Sequence, residues 1–219
     1  KNGKVRICCN YKSTLNTILQ EVVREVWTLP KIENIFSGIG TGVKYFTTLD
    51  VSRGYWHCQI HPDDRHKTAF KWKGRCYMFC RMPFGLFHSG DVFCKSLQVA
   101  LNKVERSENV ISYVDDVLIF DVSFEDHMET LRQVMTALGQ SGVRLGASKC
   151  QFFTQKTTTF MGRHISPDGI SPDPKNIEAI LNLNPPTNRK ELLSCLGILG
   201  WVSSWISSKI SENVAQYCF

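Results

Sequence analysis

The stretch NVISYVDDVLIF, residues 109–120, places two adjacent aspartates inside a run that is otherwise mostly apolar. Burying an unpaired carboxylate costs several kcal/mol, so Asp115 and Asp116 require either a turn that reaches water or a cation. Asp-Asp suits a tight turn poorly, because such a turn favours Asn-Gly or Asp-Gly at its two central positions. The stretch therefore predicts a hairpin of two apolar strands, with a mismatch at its tip that is typical of a functional site.

A third aspartate, Asp50, ends the strand-like segment FTTLD just before a break at residues 52–54. If the two strands are neighbours, Asp50 and Asp115 converge, and three close carboxylates repel each other unless a cation neutralises them. Mg²⁺ binds through one or two carboxylates and takes its remaining ligands from water and substrate phosphates. The three aspartates therefore predict phosphoryl or nucleotidyl transfer, with a polar hairpin tip that binds no metal as the alternative.

The composition is that of a globular protein with one large domain, or a core with a smaller appendage. The 219 residues are 42% hydrophobic and 21% charged, which argues against disorder. A net charge of +6 suits a polyanionic partner without requiring one. Nine cysteines at irregular spacing favour free thiols in a reducing compartment. Neither a signal peptide nor a transmembrane segment is visible, and the initial Lys1 indicates a fragment of a longer protein.

The order of predicted elements indicates an α+β fold, because strands and a few long helices are interspersed without strict alternation. Strands are predicted over residues 4–11, 45–51 and 55–60, in a hairpin over 67–82 that turns at Lys73-Gly74, in the hairpin over 110–120, and in a pair around 150–165. Helices are predicted over residues 93–104, over 124–138 with Ser123 as the cap, from Asp173-Pro174, and from about 187 or 188. The Pro/Gly-rich residues 166–176 indicate a subdomain boundary.

Two details of the helices are more specific. Ser89 or Asp91 is the predicted cap of the helix over residues 93–104. The helix over residues 124–138 is predicted to bury one apolar stripe. That stripe consists of Phe124, Met128, Leu131, Val134, Met135 and Leu138.

Several longer segments, in a fixed order, carry a resemblance to a known family. They are FTTLDVSRGYWHCQI, KTAFKWKGRCYMFCRMPFGL, the YVDD hairpin and FMGRHISPDGI, with GKVRICCNYKSTLN before them and PPTNRKELLSCLGILGWVSSWI after them. Together they closely resemble the reverse transcriptases of gypsy-class long-terminal-repeat retrotransposons, over nearly the whole chain. A lone Y-x-D-D would be unspecific, whereas several motifs in the family's order are not.

This resemblance implies a right-hand polymerase fold with fingers, palm and a small partial thumb. The fingers would comprise residues 1–45 and 62–87, and the palm, an antiparallel sheet with packed helices, residues 46–61 and 88–167. Residues 168–219 would form the thumb and the start of the following segment. The implied enzyme is an RNA-directed DNA polymerase that adds dNTPs to a primer 3′ end by nucleotidyl transfer with two Mg²⁺ ions, Mn²⁺ being the alternative cation.

The resemblance also implies partners and a location. The implied partners are an RNA or DNA template with its primer, and dNTPs. No membrane is implied. Protease, ribonuclease H and integrase domains would flank this domain in a polyprotein. The location would be the cytoplasm, with virus-like particles as the more specific alternative.

Site residues are implied position by position. Catalysis is assigned to Asp50, Asp115, Asp116 and Lys149, and metal binding to Asp50, Val51, Asp115 and Asp116. Binding of the dNTP is assigned to Lys1, Arg6, Val51, Ser52, Arg53, Gly54, Tyr55, Phe84 and Gly85. The primer grip is assigned to Phe160, Met161 and Gly162. On the residues alone, Tyr55 equally suits a core aromatic, and Lys1 and Arg6 suit solvated surface charges.

The sequence departs from the family pattern in two places. After PFGL the family has a small-residue, proline-containing helix start, whereas this chain has FHSGDVF, in which Asp91 would bring a negative charge close to the nucleotide pocket. Ser203-Ser204 replace aromatic and basic residues near the end. These departures leave a decayed or domesticated copy that only binds nucleic acid as the alternative. A nucleotide cyclase, the other alternative, needs neither thumb nor primer grip.

Overall fold

The structure is a computed structural model that describes residues 8–22 and 35–201. The chain divides into two compact units between Thr158 and Thr159. The division into fingers, palm and thumb stays a prediction. Of the strand predicted over residues 4–11, the first residues lie outside the described ranges, and residues 8–11 contain no strand.

The first unit combines helices with antiparallel strands. Its helices are α1 (Leu15–Val22), α2 (Ser89–Leu101) and α3 (Phe124–Gln140). Its strands are β1 (Tyr45–Asp50), β2 (Phe70–Trp72), β3 (Arg75–Tyr77), β4 (Val110–Tyr113), β5 (Asp116–Asp121) and β6 (Gln151–Thr154). Short 3₁₀ helices lie at Gly54–His57, Pro62–Thr68, Ser107–Asn109 and Ala147–Lys149. The predicted α+β class is confirmed.

The central sheet has the strand order β4-β5-β1-β6. Strands β1 and β5 pair antiparallel from Tyr45 opposite Asp121 to Asp50 opposite Asp116. Both are inner strands, and their middle residues are buried, which explains their continuous β-branched and aromatic runs. Because the ladder fixes the register, it brings the polar ends of the two strands, Asp50 and Asp116, together at one end of the sheet.

Helices α2 and α3 contribute to the core of this unit. The buried cluster consists of Leu49, Val51, Phe93, Leu97, Leu101, Val104, Val117, Ile119, Leu131, Val134, Ala137 and Leu138. The predicted stripe of α3 is right for Leu131, Val134 and Leu138 and wrong for Phe124, Met128 and Met135, which are exposed. The buried face instead includes His127, Thr130 and Ala137.

A buried polar network explains the rotation of α3. The carboxylate of Asp121 accepts hydrogen bonds from Nδ1 of His127 at 2.8 Å, from Asn109 at 2.7 Å and from Thr130 at 3.2 Å. Nε2 of His127 lies 2.7 Å from the hydroxyl of Thr47. His127 therefore faces inward because it satisfies Asp121, a preference that apolar periodicity cannot register.

The hairpins and loops match the predictions unevenly. The hairpin at Lys73-Gly74 is confirmed, and both turn residues have positive φ, 47° and 75°, as its two-residue loop requires. The strand predicted over 55–60 is wrong, because Arg53, at φ 60°, leads into the 3₁₀ helix Gly54–His57.

The predicted cap of α2 is also wrong. The N-cap position is occupied by His88, which makes no capping bond through its side chain. The Ser89 hydroxyl donates to the carbonyl of Pro83, and the Asp91 carboxylate pairs with Nδ1 of His88 at 3.2 Å.

The second unit is small. Strands β8 (Arg163–Ser166) and β9 (Gly169–Pro172) form a three-stranded sheet with β7 (Thr158–Phe160), followed by helices α4 (Pro174–Leu181) and α5 (Arg189–Trp201). The Asp173 carboxylate caps α4 by accepting from the Lys175 N–H at 2.9 Å, and Pro174 opens the helix, as predicted. Within the ranges that the structure describes, every helix is too short or too polar to cross a lipid bilayer.

Candidate active site

The three aspartates lie together at one end of the central sheet. Asp50 and Asp116 are direct cross-strand partners on β1 and β5. Asp115 lies in the turn between β4 and β5, and its backbone carbonyl accepts the N–H of Val51 at 2.7 Å. The neighbouring strands expected from the sequence are therefore present, and the backbone of one strand end is hydrogen-bonded to the turn of the other.

The turn itself is strained. Tyr113 pairs with Asp116, so the two loop residues are Val114 and Asp115 rather than the Asp115-Asp116 tip suggested by the sequence. Val114 has φ 52°, in the left-handed region that β-branched residues rarely adopt. Such a conformation costs on the order of 1–3 kcal/mol and persists only where the surroundings enforce it. The poor fit between the turn and its residues, noted in the sequence, is therefore located at the backbone of Val114.

Both desolvation and the neighbouring carboxylates disfavour the ionised form of Asp116. Although Asp116 as a residue is exposed, desolvation of its carboxyl group raises its pKa, and the charges of Asp50 and Asp115 raise it further. The charge of Lys149 acts in the opposite direction. The cluster therefore carries more negative charge than its own surroundings neutralise, which is the electrostatic environment that a divalent cation favours.

Two glycines leave room for these carboxylates. A Cβ on Gly54 would collide with the Asp115 carboxylate and lie 3.0 Å from the ring of Phe93. A Cβ on Gly146 would lie 2.8 Å from Oδ1 of Asp50. Side chains at either position would therefore displace an aspartate. Of this pair, only Gly54 was a predicted site residue.

The turn over residues 146–150 wraps around Asp50. The Gly146 N–H donates to the Asp50 carbonyl at 2.8 Å, and the Asp50 N–H donates to the sulfur of Cys150 at 3.4 Å. Nζ of Lys149 lies 2.8 Å from Oδ2 of Asp50. That hydrogen bond and the Asp50 charge raise the pKa of Lys149. Lys149 was a predicted site residue, whereas Gly146 and Cys150 were missed, and only their position beside Lys149 in the sequence hinted at them.

Tyr55 lies next to the aspartates and is only partly buried. Its ring packs against Phe84 and Phe93 at centroid distances of 5.4 and 6.1 Å. Burial raises the pKa of the Tyr55 hydroxyl, and the charge of Asp115 raises it further, with smaller contributions from Cys94 and Asp91. Tyr55 is therefore neither a fully buried core aromatic nor a free surface ring, and the negative charge expected from Asp91 does reach it.

The loop containing Phe84 and Gly85 is held by the N-terminal part of the described chain. Gly85 has φ 97°, and a Cβ there would collide with the carbonyl oxygen of Cys9. Its own carbonyl accepts the side-chain amide of Asn16 at 2.8 Å. Phe84 also lies 6.2 Å from the ring of Trp56. This loop thus carries an aromatic wall beside Tyr55.

Residues 51–53 connect the aspartates to Tyr55. Val51 is buried and bridges to Leu145, and the Ser52 N–H donates to the carbonyl of Arg144 at 2.9 Å. The guanidinium of Arg53 lies 5.6 Å from the ring centre of Trp56. The predicted dNTP residues from 51 to 55 therefore form one continuous edge of the site.

The remaining predicted residues belong to the second unit or lie outside the described ranges. Lys1 and Arg6 lie outside the described residues, as do Ser203-Ser204. Phe160, Met161 and Gly162 belong to the second unit, where Phe160 is buried and the other two form the turn between β7 and β8. In the described part of the chain, no group of three or more His, Cys, Asp or Glu side chains is already arranged to hold a metal ion.

Comparison with known proteins identifies the family. The family described as "Reverse transcriptase (RNA-dependent DNA polymerase)" matches residues 1–165. The chain is 31% identical over 207 residues to the retrovirus-related Pol polyprotein from transposon 297 of Drosophila melanogaster, covering 93% of this chain and 19% of that protein. It is 30% identical over 187 residues to the corresponding polyprotein from transposon gypsy of the same organism, covering 85% and 18%. The chain thus spans about a fifth of these relatives.

Solved structures agree in fold. A foamy viral protease-reverse transcriptase in complex with double-stranded DNA superposes with a TM-score of 0.84 at 24% identity, covering 98% of this chain and 37% of that one. The complex of the foamy viral enzyme with an RNA/DNA hybrid gives a TM-score of 0.75 at 25% identity, covering 86% and 25%. The described helices and antiparallel sheet are therefore those of an α+β polymerase fold. The chain belongs to the reverse transcriptase family, among relatives from long-terminal-repeat retrotransposons.

Proposed function

We propose that this chain is an RNA-directed DNA polymerase, a nucleotidyltransferase that extends a primer with dNTPs. The observation that carries the proposal is the cross-strand pair Asp50–Asp116, with Asp115 hydrogen-bonded to Val51 at the same end of the sheet. In a member of the reverse transcriptase family, this is the place where the chemistry would occur. The primer 3′-hydroxyl would attack the α-phosphate of the dNTP, and pyrophosphate would leave.

The donor set at this place fits divalent cations. The ligands would be the carboxylates of Asp50, Asp115 and Asp116 and the backbone carbonyl of Val51, all hard oxygen donors that suit Mg²⁺, with Mn²⁺ as the alternative. The raised pKa of Asp116 supports the fit, because a bound cation would stabilise the ionised form that desolvation and the charges of Asp50 and Asp115 disfavour. When bound, such ions would supply positive charge that activates the attacking hydroxyl and stabilises the charge developing on the transferred phosphate and the leaving group.

The other residues of the site have separate tasks. Tyr55, supported by Phe84 and Phe93, would lie beneath the sugar of the dNTP, where an aromatic ring leaves no room for a 2′-hydroxyl. Lys149 would supply positive charge and a proton to the departing pyrophosphate. Residues 52–54 would provide backbone and space at the triphosphate, assisted by Lys1 and Arg6.

The template and primer would be held mainly through their phosphates. A net charge of +6 suits that partner, and the foamy viral enzymes of the same fold are complexed with double-stranded DNA and an RNA/DNA hybrid. Phe160, Met161 and Gly162 would grip the primer end, within a division into fingers, palm and thumb. We place the chain in a polyprotein with protease, ribonuclease H and integrase domains, acting in the cytoplasm or inside virus-like particles.

The test is primer extension by the chain expressed within its native open reading frame. The wild-type protein should extend a DNA primer on an RNA template with dNTPs and Mg²⁺. Asp115→Asn should reduce extension by several orders of magnitude while leaving the melting temperature within a few degrees. Asp64→Asn is the matched control, because Asp64 is an exposed aspartate paired with Lys67, and it should retain full activity.

The outcomes separate the proposal from its alternative. Wild-type protein that binds primer–template and adds no nucleotide would establish a decayed copy that only binds nucleic acid. Equal activity of Asp115→Asn and wild type would place the chemistry somewhere other than at the three aspartates.

A further inference from the structure

Lys149 makes an ion pair with one of the proposed metal ligands. Its Nζ lies 2.8 Å from Oδ2 of Asp50, and its side chain is 68% exposed while that of Asp50 is 20% exposed. A second exposed pair, Lys67 with Asp64 at 2.6 Å, provides a comparison, since both of its side chains are about half exposed. The difference is the surroundings, because Asp50 is the cross-strand partner of Asp116.

The ammonium group takes a position that a cation would take. Asp50 lies opposite Asp116, and the charge of Lys149 lowers the pKa that Asp50 and Asp115 raise on Asp116. An ammonium at 2.8 Å neutralises one carboxylate in the way that a bound cation would neutralise several. The oxygen that Lys149 contacts is therefore one that a divalent cation also needs.

We propose that the Lys149 ammonium group replaces a metal ion at Asp50. It neutralises Asp50 while no metal is bound and competes with the divalent cation for Oδ2 of Asp50. This inference rests on the proposed function, because it uses the metal site proposed there. Binding of the divalent cation at Asp50 breaks the Lys149 contact, and the released ammonium remains on its four-carbon stem beside the site. Apparent metal affinity is therefore lowered by the chain's own side chain.

The backbone allows this exchange without rearrangement. The Lys149 N–H donates to the Gly146 carbonyl at 2.8 Å, and the Gly146 N–H donates to the Asp50 carbonyl at 2.8 Å. These bonds hold the turn in place whether or not the side-chain contact is made. Exposed ion pairs are weak and lysine stems are flexible, so the ammonium yields readily to a dication.

The test measures Mn²⁺ binding directly, without nucleotide or nucleic acid. Free Mn²⁺ is followed by its electron paramagnetic resonance signal during titration of wild type, Lys149→Met, Lys149→Arg and Lys67→Met. We expect Lys149→Met to bind Mn²⁺ roughly two- to fivefold more tightly, the range that corresponds to an exposed ion pair. Lys149→Arg should bind as wild type does, because the guanidinium can make the same contact, and Lys67→Met should be unchanged.

A second pair of variants separates direct contact from long-range charge. In an Asp50→Asn background, Lys149→Met should leave Mn²⁺ affinity unchanged, since the contested oxygen no longer carries charge. An equal tightening in that background would overturn the proposal in favour of a general charge effect. So would unchanged or weaker binding by Lys149→Met in the wild-type background.

The result is also distinguishable from failure of the proposed function. Saturable Mn²⁺ binding that is indifferent to Lys149→Met overturns this inference and leaves the polymerase proposal standing. Absence of saturable binding in every variant overturns the proposed metal site and this inference together. Circular dichroism melting of each variant verifies folding, which a substitution at this exposed side chain should preserve.

Discussion

The thiol of Cys150 links Asp50, at the end of β1, to the turn beside it. The Asp50 N–H donates to the Cys150 sulfur at 3.4 Å, and the same sulfur lies 3.5 Å from the carbonyl oxygen of Gly146, to which its S–H donates. A single side chain thereby satisfies a strand-end donor and a turn acceptor. If Asp50 is a metal ligand as proposed, we expect Cys150 to be a positioning residue that acts through the backbone of Asp50.

Cys150→Ala should lower kcat for primer extension roughly two- to fivefold with a smaller change in KM for the dNTP, because a lost hydrogen bond lets the carboxylate drift. Cys150→Ser keeps a donor and an acceptor and should recover part of the loss. The measurement is steady-state extension, with the exposed Cys76→Ala as the control. Equal activity of the alanine and wild-type proteins would contradict a positioning role.

Gly54→Ala should reduce primer extension at least tenfold, since its Cβ would collide with the Asp115 carboxylate and crowd Phe93. The loss should appear in single-turnover extension with little change in primer–template affinity. Gly139→Ala is the matched control, because a Cβ there meets nothing within 4 Å. Since Gly139 lies within α3, that change should leave activity intact and stabilise the protein by about 0.5–1 kcal/mol. Full activity of Gly54→Ala would show that extension does not require the space between Gly54 and the Asp115 carboxylate.

The metal-free protein should lose stability as the pH rises through the titration of Asp116. Its folded-state pKa is raised above the ordinary 3.8, so the folded chain binds more protons than the unfolded chain between those two values. The destabilisation is fully present above the raised pKa and absent well below 3.8.

Asp116→Asn should therefore be more stable than wild type at pH 7, by no more than about 1 kcal/mol because solvent screens an exposed strand end. The gain should vanish in acid. Urea unfolding in EDTA at several pH values measures it. Asp168→Asn, at an exposed position in the turn between β8 and β9, is the control for loss of an exposed carboxylate. A lower stability of Asp116→Asn than of wild type at pH 7 would contradict the claim that the ionised Asp116 carboxylate destabilises the metal-free protein.

His127→Ala should destabilise the protein by about 3 kcal/mol, because it leaves the buried Asp121 carboxylate without its imidazole partner. Chemical unfolding measures the loss. The control is His61→Ala, at a side chain that is 70% exposed, where the change should stay within about 0.5 kcal/mol. A similarly small effect at His127 would mean that Asn109 and Thr130 satisfy Asp121 without it.

The convergence of the aspartates could be predicted from the sequence, because two apolar runs with polar ends indicate two strands that can pair with those ends together. Once β1 and β5 pair, their register alone sets Asp50 beside Asp116. Cap chemistry was equally reliable where the side chain itself makes the bond, as at Ser123 and Asp173.

The failures have three separate physical causes. The face of α3 was misjudged because a buried carboxylate, Asp121, outweighs the apolar period. Residues 55–60 are β-rich in composition, yet a positive φ at Arg53 starts a 3₁₀ turn. The contact of Cys150 with Asp50 joins residues 100 positions apart, and no local pattern encodes it.

Strand pairing has a consequence for how such a domain can vary. The segment between β1 and β5 contains the β2–β3 hairpin, whose exposed turn can lengthen or shorten without shifting Asp50 relative to Asp116. A single residue deleted inside β5 instead reverses which face each following side chain occupies. The pairing of Asp50 with Asp116 is thus insensitive to the length of that hairpin and sensitive to a register shift within β5, so insertions are expected in the hairpin rather than in the strand.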